Sequence, residues 1–324
     1  MLSRVADAVY WMARYMERAE NVARFVDVNL HLALDLAEGA REQWAPLVAT
    51  TGDDAWFRDR YGEATRESVM QWLTFDPEYP SSILSCLRAC RENARSVREI
   101  ISSEMWVQAN KAYLMVKAAA ERGAPEAPHE LYQAIKLAAQ TFVGVTYLTM
   151  THNEAWHFGR LGRLLERADK TSRILDVKYF LLLPDPHDVG TPTDEIQWAA
   201  LLKSASAFEM YRKRWGRIVP ARVVEFLLLD RHFPRAVRYA VTKAERSLHA
   251  ITESPLEAGQ TSAERRLGRL RGELEYADVS EIVFGGLHEY LDALQNKLNG
   301  VGEAIGESFF AARPSQAPGQ TQSQ

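Results

Sequence analysis

Two Glu-Arg pairs are the residues of this sequence best suited to chemistry, and each lies in a stretch that occurs twice. Glu17 and Arg18 lie in "ARYMERAENVARFVDV", and Glu166 and Arg167 lie in "GRLLERADKTSRILDV". A glutamate in a polar cleft can act as a general base, and an arginine can bind a carboxylate or a phosphate through two parallel hydrogen bonds. Glu17 and Glu166 are therefore the candidate catalytic residues.

The two stretches match in register when each position n is paired with position n + 149. Charged residues coincide over about four helical turns. The coinciding residues include Arg14 with Arg163, Glu17 with Glu166, Arg18 with Arg167, Arg24 with Arg173, and Asp27 with Asp176. The match indicates an internal duplication of one functional or packing unit. Opposite these charges, an apolar arc of roughly 200° predicts that the first copy is a central helix.

Helix geometry determines which of these charges find a partner nearby, because residues three or four apart share a helix face. The available pairs are Arg14 with Glu17, Glu20 with Arg24, Arg163 with Glu166, and Asp169 with Arg173. An exposed pair such as Glu20 with Arg24 contributes about 0.2–0.5 kcal/mol and requires no function. Arg18 and Arg167 have no equally close acid in their own helix. We therefore predict that the two helices are neighbours and that each offers its glutamate to the other.

A basic stripe and one further arginine add to the candidates. In "LRACRENARSVRE" four arginines recur at spacings of three, four and three, and like charges on one face repel unless an anion faces them. Arg235 lies near a predicted helix start, where free N–H groups favour anions. The candidate binding residues are Arg14, Glu17, Arg18, Arg24, Arg88, Arg91, Arg95, Arg98, Arg163, Glu166, Arg167, Arg173 and Arg235.

Two interpretations of these charged residues stay open. In the first, they form interhelical ion-pair networks that fix the register of a large bundle, because buried charges often serve packing specificity. In the second, they line a polar cleft that binds an acidic group, such as a carboxylate, a phosphate or the acidic loop of a partner protein.

The composition argues against several other classes of protein. The chain has 324 residues, 47% of them hydrophobic, and a net charge of −4, which gives no general attraction to nucleic acid. No apolar run reaches the roughly 20 residues of a membrane span, and no signal-peptide pattern begins the chain, so we expect a cytoplasmic protein. His152 and His157 fall on different helix faces, so neither a metal site nor a cofactor is predicted in this chain. Cys86 and Cys90 are expected to be reduced thiols packed on one helix face.

The fold class follows from apolar residues that recur at steps of three and four, with no stretch that alternates as a strand does. The pattern predicts an all-α bundle of about ten to twelve helices, with the Glu-Arg helix once in each half. We expect one domain over 1–312, with pseudo-repeated halves at about 1–148 and 149–312, and a disordered tail over 313–324. Thr151 and Glu154 are predicted to form a capping box at the start of the second copy.

Four stretches, taken in order, carry a resemblance to a known family. They are "YWMARYMERAENVARFVDV", "SSILSCLRACRENARSVREIISSEMW", "RLGRLLERADKTSRILDV" and "LLLDRHFPRAV". Together they resemble the bacterial alpha-E domain family, an all-helical family of unknown function that is named for its Glu-Arg motif. The resemblance spans residues 1 to about 310. It identifies Glu17 with Arg18, and Glu166 with Arg167, as the two instances of the motif.

The resemblance also implies a setting for the protein. Members of this family occur beside, or fused to, a circularly permuted ATP-grasp protein and a transglutaminase-like protein, which implies amide-bond formation and cleavage on peptides or small metabolites. The expected role is a helical accessory component that binds the ligase or its acidic substrate, while ATP and Mg belong to the ATP-grasp partner. Two alternatives are a stand-alone enzyme with a Glu general base in an arginine-lined cleft, and a purely structural homo-oligomer.

Overall fold

The computed structural model describes residues 1–35, 44–123, 128–182, 192–256 and 258–311. Their regular structure is helical and includes no strand, so the predicted all-α class is confirmed. The first half contains α1 (Ser3–Asp35), α2 (Ala45–Ala49), α3 (Asp54–Tyr61), α4 (Arg66–Met70), α5 (Ile83–Ser96), α6 (Ser103–Arg122) and α7 (Pro128–Thr149). The second half contains α8 (Glu154–Leu182), α9 (Pro192–Ser204), α10 (Phe208–Trp215), α11 (Pro220–Leu229), α12 (Val237–Thr252), α13 (Ser262–Tyr276), α14 (Val279–Gly285) and α15 (Leu287–Ile305). Short π-helices follow α4 and α15, at Gln71–Phe75 and Gly306–Phe310.

The described residues form fifteen α-helices, which is more than the ten to twelve expected. One reason is that residues 45–70 form three separate short helices. Another is that residues 262–305 form three helices, α13, α14 and α15. Asp278 starts α14 by accepting hydrogen bonds from the backbone N–H groups of Ser280 and Glu281, and Gly286 ends it with φ at 103°, a conformation that favours glycine. The tail 313–324 lies outside the described residues.

Two four-helix bundles with the same order of packing form the body of the protein. In the first, α1 packs against α5 and α7, and α6 packs against both of these helices. In the second, α8 packs against α12 and α15, and α13 packs against both. The two bundles meet through α1 and α8, the helices that carry the Glu-Arg pairs. The connecting helices cross over, because α2 packs on α8 and α9 packs on α1.

Helices α1 and α8 run parallel, because their contacts advance together along both. Gly159 faces Val9, and Gly162 faces Tyr10. Further along, Glu166 receives hydrogen bonds from Arg14 and Arg18 of α1. The duplicated helices are therefore neighbours, as predicted, and they run in the same direction.

The apolar core consists of one cluster for each bundle. The first joins α1 to α5, α6 and α7, and the second joins α8 to α12, α13 and α15. Most apolar residues of α1 belong to the first cluster, but Tyr10 belongs to the second. Helix α1 is thus central, which confirms the prediction made from its wide apolar arc. None of the described helices is both long and apolar enough to cross a membrane.

The predicted capping box at the start of α8 is wrong. Asn153 caps this helix, since its side-chain oxygen accepts the backbone N–H of Trp156 at 3.3 Å. The carboxylate of Glu154 instead binds the N-terminal amine of Met1 at 2.9 Å. Thr151 therefore lies outside the helix, and the start of α1 is tied to the start of α8.

Gly162→Ala will destabilise the protein, because the added Cβ would lie 2.4 Å from the backbone oxygen of Tyr10. Helices α1 and α8 would have to separate, and we expect a loss of about 1–3 kcal/mol in the free energy of unfolding, measured with urea. The matched control is Gly144→Ala in α7, where nothing lies within 4 Å of the added Cβ. This control should be neutral or stabilising by up to about 1 kcal/mol. Equal losses in the two variants would contradict the close approach.

Candidate functional site

Glu17 of α1 lies in the interface between the two bundles, with 1% of its surface exposed. Arg167 of α8 binds this carboxylate with both arms of its guanidinium group, from Nε to Oε1 and from Nη2 to Oε2, each at 2.8 Å. Asn21 donates to Oε1 at 3.2 Å, and Arg235, just before α12, donates to the same oxygen at 3.4 Å. The carboxylate is satisfied by groups from three segments of the chain.

Glu166 of α8 is its counterpart and is fully buried. Arg18 of α1 binds it through two hydrogen bonds, from Nε to Oε1 at 2.6 Å and from Nη2 to Oε2 at 3.0 Å. Arg14 adds a third hydrogen bond at 2.9 Å, and the ammonium group of Lys170 lies 3.7 Å from Oε1. Each glutamate is therefore bound by the motif arginine of the other helix. The predicted exchange of partners between the two copies is confirmed.

These contacts fix the protonation state of both glutamates. Burial alone would raise the pKa of Glu17, but Arg167 and Arg235 outweigh it and lower the pKa to about 2. Burial acts in the same direction on Glu166, and Arg18 and Arg14 hold its pKa well below the ordinary value. A carboxylate with so low a pKa is a weak base, and its oxygens are already occupied by guanidinium groups. The arrangement suits a structural ion pair better than proton abstraction.

A second pair of carboxylates lies one turn further along each helix. Glu20, with 2% of its surface exposed, accepts from Arg24 at 2.5 Å and from Arg235 at 2.6 Å. Asp169 accepts from Lys170 at 2.9 Å and from Arg173 at 3.1 Å. The interpretation of Glu20 with Arg24 as an exposed pair is wrong, because both side chains are buried and Arg235, from the segment before α12, also binds Glu20. The i, i+4 pairing itself is confirmed in both copies.

The outer arginines tie this network to the connecting segments. Arg24 donates to the hydroxyl of Ser206, between α9 and α10, at 2.5 Å. Arg173 donates to the backbone oxygen of Thr50, at the end of α2, at 2.9 Å. Each crossing segment is therefore held by the opposite bundle.

Positive charge exceeds negative charge in the central network. Four carboxylates belong to it, namely Glu17, Glu20, Glu166 and Asp169. The cations around them are Arg14, Arg18, Arg24, Arg163, Arg167, Lys170, Arg173 and Arg235. Glu20, Asp169, Asn21 and Lys170 were not among the predicted binding residues, although all four lie in the repeated stretch. Glu20 and Asn21 are bound by Arg235, which adjoins them only in the folded chain, whereas Asp169 and Lys170 find their partners within α8.

The four arginines of the predicted basic stripe do not join this network. Arg88 and Arg98 are exposed, and so is Arg95, which pairs with Glu92 at 2.7 Å. Arg91 is half-buried and donates to the side-chain oxygen of Asn110 on α6 at 2.7 Å. Helix α5 ends at Ser96, so Arg98 lies in the turn after it, and the prediction of one helix face with four arginines is wrong at that position.

Cys86 and Cys90 lie on the buried side of α5, and both are free. Burial raises the pKa of Cys86 to about 12 and also raises that of Cys90. A thiol in such surroundings stays protonated and unreactive. The expectation of a reduced pair packed on one face is confirmed.

One cluster of possible metal ligands escaped the sequence analysis, which predicted no metal site. Ligand atoms of Asp27, His31 and His129 all lie within 4.8 Å of one another. The two histidines come from α1 and α7, and nothing in their sequence spacing brings them together. Lys136 already occupies one oxygen of Asp27 at 2.6 Å, and His129 lies 2.5 Å from the other. A cation would have to compete with this ammonium group.

Comparison with known proteins adds a family and several relatives. The family model Alpha-E, described as a predicted alpha-helical domain with a conserved ER motif, matches residues 1–310. Uncharacterized proteins of Mycobacterium bovis and of two strains of Mycobacterium tuberculosis are each 25% identical to this chain over 308 residues. The match covers 86% of this chain and 33% of each relative, so the chain spans about a third of their length. No solved structure matches the chain.

Glu166→Gln will destabilise the protein far more than Glu92→Gln. The first change leaves Arg14 and Arg18 buried without their carboxylate, and breaking a buried pair costs on the order of 3–5 kcal/mol. The second removes a surface partner of Arg95, which is worth less than about 1 kcal/mol. Urea unfolding of both variants measures the difference. Equal midpoints would show that the buried ion pairs do not hold the bundles together.

Acid will weaken the folded state in part through Glu17. Its pKa is lowered from the ordinary 4.5 to about 2 in the folded protein. A group with a lowered folded pKa contributes its stability fully above the unfolded value and loses it as the pH falls towards the folded value. We expect the urea midpoint of unfolding to decrease as the pH is lowered from about 5 to about 3. The decrease should be less steep in Glu17→Gln, which has one titrating group fewer. Parallel falls in the two proteins would contradict this assignment.

Proposed function

This chain belongs to the Alpha-E family, and from that premise we propose that it is a non-catalytic helical component of an ATP-dependent amide-bond-forming system. It binds the ligase, or the acidic substrate of the ligase, through its arginine-rich surface. The ATP, the Mg and the phosphate chemistry belong to a circularly permuted ATP-grasp partner, and a transglutaminase-like protein is a second partner of the same system.

The observation that carries this proposal is the commitment of both motif glutamates to ion pairs. A general base must reach the proton that it abstracts and must have a pKa near the working pH. Glu17 and Glu166 are buried, each bound by the two arms of an arginine, with lowered pKa values. These features favour a scaffold over a catalyst. The best-attested use of such buried pairs is to fix how helices associate.

The surface of α5 supplies a place for docking. Arg95 pairs with Glu92 and keeps 66% of its side chain exposed. Arg98 lies over the ring of Trp106 at 5.1 Å, which joins the basic surface to an aromatic one. Val107, next to Trp106, is 40% exposed. Arginine beside a half-buried aromatic ring and an exposed apolar side chain is a composition that protein interfaces favour.

The lengths of the relatives support a role alongside other protein parts. The region that they share with this chain fills only 33% of each relative, so the same domain is joined there to about twice its own length of further chain. An accessory domain can be fused to its partner or can meet it as a separate chain. Docking through a charged surface suits the separate form, since charge complementarity accelerates encounter and selects the partner.

Arg95→Glu combined with Arg98→Glu will abolish association with an ATP-grasp ligase from the same host. Charge reversal turns attraction into repulsion, and both residues lie at the surface, so the fold should survive. Arg91 is left unchanged because it is half-buried and bonded to Asn110. The matched control is Arg266→Glu combined with Arg269→Glu, an exposed pair with the same spacing on α13, which should bind as the wild type does.

Co-purification and light scattering at low and at high salt measure this association, which should weaken with salt. Product and ATP-turnover assays with each protein alone and with both together test the accessory role. We expect no turnover by this chain alone and more amide product when the two are mixed. Turnover by this chain alone, lost in Glu17→Gln or Glu166→Gln with the fold preserved, would make it the enzyme instead.

A further inference from the structure

A cavity of about 420 Å³ lies between α1, α7 and α8, where the two bundles meet. Its lining is mainly apolar and rich in methionine, including Met12, Met16, Met105, Phe142, Met150 and Trp156. Methionine and aromatic side chains adapt to the shape of an apolar ligand. Leu148, at the cavity wall, is 81% exposed, so the lining continues to the surface. The volume falls within the range of small-molecule sites.

Four charged side chains also line this cavity, namely Glu17, Glu20, Arg160 and Arg163. Arg163 lies close enough to the other three to interact with their charges. The two carboxylates are occupied by arginines of the central network, as described above. Arg160 donates to the hydroxyl of Ser247 at 3.1 Å.

Arg163 differs from the other cations of the network. Among the residues that the structure describes, no group hydrogen-bonds to its guanidinium and no carboxylate oxygen lies within the 4.0 Å of an ion pair. Its counterpart in the first copy, Arg14, binds Glu166 at 2.9 Å. Burial and the neighbouring Arg167 lower the pKa of Arg163 to about 10, which still leaves it charged at neutral pH. Arg163 therefore lines the cavity with guanidinium N–H groups that donate to no other group among the described residues.

The charge balance around Arg163 favours an additional anion. Arg24, Arg167 and Arg235 already supply three guanidinium groups to the two carboxylates Glu17 and Glu20. Arg163 is a fourth, so this group of side chains has an excess of positive charge. Unpaired charge next to an apolar cavity is costly unless a ligand or water compensates it. A single guanidinium fork matches the two oxygens of one carboxylate.

We infer that this cavity binds a carboxylate that carries an apolar chain, with Arg163 as its counter-ion. The apolar part occupies the methionine-rich lining, and the carboxylate accepts hydrogen bonds from Arg163. This chemistry is shared by a free aliphatic acid and by the C-terminus of a peptide that ends in apolar residues. The inference does not depend on the proposed function, because it concerns binding by this chain alone, whereas the docking test requires the ligase.

Isothermal titration calorimetry of the full chain with decanoate, kept below its micelle concentration, tests the inference. We expect saturable binding of one decanoate per chain. Arg163→Met should raise the Kd for decanoate by at least about tenfold, because charge-assisted hydrogen bonds are lost. The Kd for decanol, which has the same chain and no charge, should change by less than about threefold, since only apolar contacts hold it. Arg163→Gln is a second variant with the same expectation.

Two control variants distinguish the contribution of the Arg163 charge to binding from that of the apolar cavity. Arg269→Met removes an exposed arginine of α13 that lies outside the cavity, and it should leave both Kd values unchanged. Gly144→Leu places a side chain in open space at the cavity wall and should weaken decanoate and decanol alike. Trileucine and trileucine amide then show whether the carboxylate can be a peptide C-terminus. If it can, trileucine should bind and its amide, which lacks the carboxylate, should not.

Saturable binding of either carboxylate with the stated dependence on Arg163 supports the inference. The absence of saturable binding by both decanoate and trileucine would overturn it. So would a Kd for decanoate that stays the same in Arg163→Met and Arg163→Gln, with the fold of both variants checked by circular dichroism.

Discussion

The Glu-Arg dipeptide is self-complementary across two parallel helices, and the rest of the structure depends on that property. When two copies of one helix run side by side in register, each residue meets its own copy, and a lone glutamate would meet another glutamate. A neighbour of opposite charge removes this conflict, because the two pairs cross between the helices, with Glu17 bound by Arg167 and Glu166 bound by Arg18. This is the logic of an isologous contact, in which residue i meets residue j and j meets i.

Because these ion pairs are buried, folding of the protein depends on them. A carboxylate removed from water is tolerated only when its lone pairs are satisfied, and each motif glutamate is satisfied by several donors from both helices. The additional cation differs between the copies: Lys170 serves Glu166 from its own helix, whereas Arg235 reaches Glu17 from the segment before α12. Among the residues that the structure describes, each side has four cations around two carboxylates, but on the Glu17 side one of these cations, Arg163, makes no hydrogen bond.

Sequence reasoning predicted those parts of the structure that local periodicity and repetition determine. The helical class, the central position of α1 and the exchange of partners between Arg18 and Arg167 all follow from spacing within the repeat. The burial of Glu20 could not be predicted, since Arg235 reaches it only in the folded chain. The cluster of Asp27, His31 and His129 escaped for the same reason, as its histidines belong to α1 and α7. The cap at Asn153 was missed because Glu154 has a competing partner in the N-terminal amine.

The short connection between the bundles has a consequence for how chains associate with one another. Only residues 150–153 separate α7 from α8. Every contact between α1 and α8 could equally be made with the α8 of a second chain, so the interface by itself does not distinguish a closed monomer from a domain-swapped dimer. The distinction rests on effective concentration, because a short link keeps the bundle of the same chain far more available than that of any neighbour. The shortness of this four-residue link therefore favours packing of α1 on the α8 of its own chain over packing on the α8 of a second chain.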